Sequence, residues 1–170
     1  MENNYLLDLT TLITLISDIC HDSTIHERFG SLEVWKEKNE SIYNHMIDDL
    51  DDPVLPKLLK ILANKDLYAT SSTWKKFNTM INIFGSTKEK ERILSLNINV
   101  INDDPSIEFQ ELTDKSWSIE NKGTIGTASK NGYTLVTGNI HKLYSALDID
   151  NELKYLAHRS RSFVGKKFEC

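Results

Sequence analysis

Tyr5-Leu6-Leu7-Asp8-Leu9-Thr10-Thr11-Leu12-Ile13-Thr14-Leu15-Ile16 is the stretch whose reading decides the fold. Its first five residues form an apolar run without helical period, which predicts a buried strand. The remainder places Leu12, Leu15, Ile16 and then Ile19 at helical spacing, which predicts a helix with one apolar face. Asp8 therefore stands where a buried strand ends and a helix begins. A carboxylate there needs a partner, because burying an unpaired charge is costly. Two readings stay open: a helix cap that accepts backbone N–H groups, or a metal ligand.

Strands and helices alternate beyond this stretch. Glu33 to Leu50 reads as one exposed amphipathic helix carrying Val34, Trp35, Ile42, Met46 and Ile47, closed by Asp51-Asp52-Pro53. Val54 to Leu62 predicts a second helix, with Pro53 suited to its first turn. Leu67 to Thr70 predicts a short strand, followed by a helix capped by Ser71 or Ser72, bearing Trp74, Phe77, Met80, Ile81 and Phe84, and ended by Gly85. Another short helix starts at Ser86, and Ile98 to Asn102 alternates as a third strand before Asp103-Asp104-Pro105. Residues 106–118 read as irregular, with Ile107-Glu108-Phe109 extended. Thr124 to Lys130 predicts a helix stopped at Gly132, and Tyr133 to Thr137 a compact apolar strand. Ile140 to Leu147 and Asn151 to His158 follow as helices, and Phe163-Val164 as an edge strand or a tail. Parallel crossovers need an intervening helix, so the alternation implies a mostly parallel sheet. The expected fold is a single α/β domain over residues 1–170, a three-layer α/β/α sandwich.

With 39% hydrophobic and 26% charged residues and few Gly or Pro, the chain has the make-up of a packed globule rather than a disordered segment. The run from Tyr5 to Ile19 is too short and too polar to span a bilayer, and Met1-Glu2-Asn3-Asn4 lacks the basic start of a secretory leader. Cys20 and Cys170 give neither a disulfide framework nor metal-ligand spacing, so a reducing, cytoplasmic setting is expected. The net charge of −5 argues against a protein that coats nucleic acid indiscriminately. The charge is graded, however. Glu27 to Asp52 is strongly acidic, while Lys154, Arg159, Arg161, Lys166 and Lys167 face only Glu169. The gradient reads either as two solvated faces or as a functional basic edge.

The segments Asp8-Leu9-Thr10-Thr11-Leu12 and Thr127 to Asn139 resemble the two ends of the PIN domain, the nuclease fold of toxin and RNA-processing proteins. In that family an Asp followed by Ser or Thr opens the domain, and a Gly, an apolar strand, Val-Thr and an acid close it. The opening, with Glu89-Lys90-Glu91-Arg92, Ile98-Asn99-Val100, Asp103, Pro105-Ser106 and Gly132, is similar to an uncharacterised eukaryotic PIN-like family known as a domain of unknown function.

The resemblance implies a ribonuclease centre in which clustered carboxylates hold Mg²⁺ or Mn²⁺ and activate water. Asp8 matches the family's opening acid, and Glu120 and Asp103 are the acids expected to substitute in space as catalytic residues, with Asp8 and Glu120 on the metal. The chain departs from the pattern elsewhere: Lys75 and Lys76 stand where a second acid falls, Asn121 follows Glu120, and Asn139 replaces the usual closing Asp. An incomplete acidic site of this kind fits a degenerate or weak endoribonuclease, or an RNA-binding protein in which Lys75, Lys76 and Lys88 hold phosphates. The bland reading of those lysines is plain surface charge. Trp35, Trp74 and Trp117 are either base-stacking platforms or core, with Trp74 assigned to the core beside Phe77 and Ile81. The rival class is a catalytically silent module that binds a protein partner through the acidic helix and the basic tail.

Overall fold

Leu6 and Leu7 point to opposite faces of one strand, and that alternation divides the core. The computed structural model describes residues 3–169; Met1, Glu2 and Cys170, with the readings made of the leader and of the terminal cysteine, lie outside the described residues. Among the described residues, β1 (Asn4–Leu7), β2 (Asp66–Thr70), β3 (Asn99–Ile101), β4 (Thr134–Thr137) and β5 (Tyr155–Ala157) form one all-parallel sheet in the order β3-β2-β1-β4-β5. β1 is central, pairing Tyr5 with Leu67 of β2 and Leu7 with Val136 of β4. The three-layer α/β/α sandwich expected from the sequence is what the chain forms.

One face packs Leu7, Ala69 and Val136 against α1 (Leu9–Ile16), α5 (Val54–Leu62) and α6 (Ser71–Phe84), with Leu12, Leu58, Phe77 and Ile81 fully or almost fully buried. The other packs Leu6 and Leu135 against α8 (Ile107–Gln110), α9 (Ile119–Asn131) and α10 (Ile140–Ile149) through Phe109, Ile125, Leu143 and Ala146. Each fully buried Leu or Phe side chain contributes about 1.5–3 kcal/mol, which is why these alternating runs set the layers. A third cluster joins α2 (Asp18–His21), α3 (Leu32–Lys38) and α4 (Glu40–Asp51) to the chain end, where Trp35 lies between the Phe29 and Phe168 rings at 4.8 and 5.5 Å. The remaining helix, α7 (Thr87–Ile93), starts at a Ser86–Glu89 capping box.

Four elements differ from the sequence reading. The long helix from Glu33 breaks at Asn39, which leaves helical geometry and accepts the Ile42 N–H at 3.0 Å, a local bond that competes with continuing the helix. Trp35, Ile42 and Met46 are buried while Lys36, Glu37, Lys38 and Asn44 stay exposed, so the predicted apolar face is packed. Ile107 to Gln110 forms a helical turn, not an extended piece, which buries Phe109 under α9. α9 begins five residues earlier than predicted, at the Ser118 cap. Residues 155–157 form β5 rather than a helix: their apolar run is too short to betray its period, and the open edge of β4 supplies the pairing.

Beyond β5 the chain runs as a strap back across α1, α4 and α7. Arg161 Nε meets Asp49 Oδ1 at 2.9 Å, Ser17 Oγ donates to Ser162 O at 2.6 Å, and Arg28 donates to Phe168 O at 2.8 Å. The N–H groups of Val164 and Gly165 donate to the buried Glu89 carboxylate. The basic tail and the acidic helix of the sequence thus meet inside the same chain, although Lys166 and Lys167 remain exposed. No helix among the described residues is long and apolar enough to cross a membrane.

Candidate functional site at the carboxyl rim

With β1 central, the chain order reverses between β1 and β4, and ligand crevices of parallel sheets form at the carboxyl ends of such strands. Asp8 sits at that point, 8% exposed, as the cap of α1. Its Oδ1 accepts from Thr10 Oγ1 at 2.6 Å and from the Thr11 N–H at 2.9 Å, and Thr11 Oγ1 lies 3.0 Å away. Its Oδ2 accepts from Thr137 Oγ1 at 2.5 Å. The two outer hydroxyls are themselves held by the turn after β4: Gly138 N–H donates to Thr10 Oγ1 and Asn139 N–H to Thr137 Oγ1, at 2.7 and 2.9 Å. Donors from both sides of the crevice thus satisfy this carboxylate, and the cap reading is realised.

The other acids take separate partners. Asp103, beyond β3, accepts from the Ser71 hydroxyl at 3.0 Å, the Ser72 N–H at 2.9 Å and the Ser72 hydroxyl. Gly123 makes room for it, since a Cβ there would overlap Asp103 Oδ2. Glu120, in the first turn of α9, pairs with Lys76 at 3.5 Å. Asn139 spends its side-chain oxygen on the Lys142 N–H as the cap of α10. Among the described residues no three His, Cys, Asp or Glu side chains group to hold a metal. The donor set does not fit a Mg²⁺ or Mn²⁺ centre, which needs several free carboxylate oxygens converging on one ion.

The profile of the family described as "Protein of unknown function (DUF1308)" matches residues 5–169, from the first strand through the strap. The chain belongs to the DUF1308 family. A chain of the crystal structure of VapBC2 from Rickettsia felis bound to a DNA fragment from their promoter superposes with a TM-score of 0.45, at 18% identity, over 91% of this chain and 98% of that one.

In this DUF1308 chain the three lysines singled out in the sequence do not form one patch. Lys75 and Lys76 lie in the first turns of α6 at the rim, whereas Lys88 opens α7 beyond the far end of that helix, which is about 21 Å long. Lys75 is exposed, Lys76 is held by Glu120, and Lys88 borders a cleft lined by Asp18, Asp22, Arg28 and Glu91. The tryptophans go to the core: Trp35 and Trp117 are buried, and Trp74 packs on Phe77 at 5.5 Å.

Sequence reasoning missed His158. This ring, just past β5, approaches Thr11 Oγ1 through Nε2 at 2.8 Å and the Arg159 carbonyl through Nδ1 at 2.9 Å. A carbonyl only accepts, so Nδ1 carries a proton toward Arg159; Nε2 lies beside Thr11 Oγ1, whose one proton is also sought by Val136 O at 2.7 Å and Asp8 Oδ1 at 3.0 Å. Burial, the largest influence, together with Arg161 holds its pKa below the usual histidine value, against the opposing pull of the Arg159 carbonyl and Asp8. His158 and Ser160 also press against Gly138, where a Cβ would come within 3.0 and 2.8 Å of them. The strap thereby packs against Thr11 and Gly138, beside Asp8. No metal-like spacing announced this histidine, because its partner lies 147 residues away.

Proposed function

We propose that this chain is a PIN-like domain that binds single-stranded RNA along the carboxyl rim of its sheet, with its cleavage centre degenerate. One observation carries the reading: Thr10, Thr11 and Thr137–Asn139, from the two segments of PIN resemblance, converge on a single carboxylate at the point where strand order reverses. Lysine sits where the resemblance implies an acid, and Lys76 neutralises Glu120 at 3.5 Å, so that carboxylate is not free for a divalent ion. Lys75 after β2 and Arg159 after β5 are exposed at the same rim and suited to phosphate contact.

Fluorescence anisotropy with a short single-stranded RNA at several salt concentrations tests this. Affinity should fall steeply with salt, and the Lys75→Ala/Arg159→Ala double variant should reduce the log–log slope by about 1.4, since each contact on a single strand accounts for about 0.7. No affinity at low salt overturns the reading. Mn²⁺- or Mg²⁺-dependent cleavage that disappears in Asp8→Asn would replace binding with catalysis. The second reading, a protein-interaction module, is favoured by the exposed aliphatic residues Ile47 and Leu50 of α4 and Leu59 and Ile61 of α5.

A further inference from the structure

The strap between β5 and Glu89 is held by bonds of two kinds. Downstream, Val164 and Gly165 donate to a fully buried carboxylate. Upstream, residues 158–162 lie against Thr11 and Gly138; Arg161 N–H donates to Thr14 Oγ1 at 3.0 Å and Ser17 Oγ to Ser162 O at 2.6 Å, while Arg161 and Ser162 fasten to Asp49 and His45 of α4. The Ser162 N–H donates to His45 Nδ1 at 2.8 Å, and Ser162 Oγ lies 2.9 Å from the same nitrogen. A backbone N–H can only donate, so this bond exists only while Nδ1 is bare.

We propose that residues 158–162 form a latch across Thr11 and Gly138 whose Ser162 end is released by a proton, with His45 as its catch. Protonating Nδ1 sets an N–H against the Ser162 N–H, so the strap loses a backbone bond. It also creates a cation beside Arg161, whose guanidinium is buried and bonded to Asp49 Oδ1 at 2.9 Å and to Asp52 O at 3.3 Å. Asp48 and Asp49 lie three and four positions along α4 from His45, on the neighbouring turn, so an imidazolium competes with Arg161 for Asp49. The charged groups facing the catch are thus Asp48 and Asp49 from its own helix and Arg161 from the strap. From α2, Cys20 stays a neutral thiol, its pKa pushed up to about 12 by burial first and by Asp49 second. Burial and then Arg161 keep the His45 pKa below its ordinary value against Asp48, which holds the latch shut at neutral pH.

The latch stands on these contacts alone; its bearing on ligand access rests on the reading of the rim as an RNA site. The test is an NMR titration of the full chain from pH 7.5 to 5, following the His45 ring and the amides of Arg161 and Ser162. The expected result is a His45 midpoint below 6.5, a loss of about tenfold or more in the Ser162 amide protection factor at that same midpoint, and unchanged protection of Val164 and Gly165. In His45→Gln the pH response of Ser162 should vanish. An ordinary His45 midpoint, protection of Ser162 that ignores it, or a response surviving in His45→Gln would overturn the latch. Opening that is observed without RNA affinity at any pH would count against the proposed function and leave the latch standing.

Discussion

Glu89 is the side chain on which the strap depends most, and Glu89→Gln measures that dependence. The carboxylate is fully buried and accepts four backbone N–H groups: Oε1 from Asp18 at 3.1 Å and Val164 at 2.6 Å, Oε2 from Ser86 at 3.0 Å and Gly165 at 3.1 Å. Glutamine has the same shape but only one acceptor oxygen. Whichever way the amide turns, its NH₂ faces two N–H donors that have no other partner. A hydrogen bond to a charged acceptor contributes about 1.5–3 kcal/mol, so losing two costs about 3–6 kcal/mol. Domains are stable by only about 5–15 kcal/mol, and for a chain of this size the loss lowers Tm by roughly 6–24 °C. Urea unfolding followed by tryptophan fluorescence gives the difference, since Trp35 rests on Phe168 of the strap. A Glu89→Gln protein within about 1 kcal/mol of wild type would refute the reasoning, because those four N–H groups would then have other partners.

Two further outcomes follow from the same contacts. Gly123→Ala should displace Asp103 from Ser71 and Ser72 and destabilise the chain by about 1–3 kcal/mol, checked by the urea midpoint; an unchanged midpoint would mean that α9 shifts freely against α6. His45 and His158 both have folded pKa values below 6.5, so between those values and 6.5 the unfolded chain binds more protons. Stability should therefore be full above about pH 6.5 and fall as pH drops below it, with a limiting slope of about 2.7 kcal/mol per pH unit for two groups. Urea midpoints that stay level between pH 7.5 and 5.5 would contradict this.

Much of the fold was legible in the sequence, and particular residues show why. Tyr5 to Ile16 announced both the central strand and its helix through a change of hydrophobic period, and Gly132, at φ 72°, marked the end of α9. The failures fell where local pattern is weak: the three-residue β5, the one-turn α8 and the break at Asn39. At the candidate site, Asp8 was legible because a charge at the end of an apolar strand demands a partner. Thr137 and His158 were not legible as those partners, since both reach the Asp8 and Thr11 cluster from more than 100 residues away. Glu89 was legible only as part of the short helix from Ser86, because a capping-box glutamate and a buried strap anchor read alike until the strap is in place.

The order of apolar and polar residues by itself determined the layers, the parallel sheet and the presence of a carboxylate at its centre, since each depends on neighbours within a few residues. Tertiary structure alone decided what that carboxylate does. Whether Asp8, Asp103 and Glu120 share an ion or take separate donors depends on where α1, α6 and the end of β4 bring their hydroxyls, amides and ammonium groups. Those distances come from packing across the whole chain.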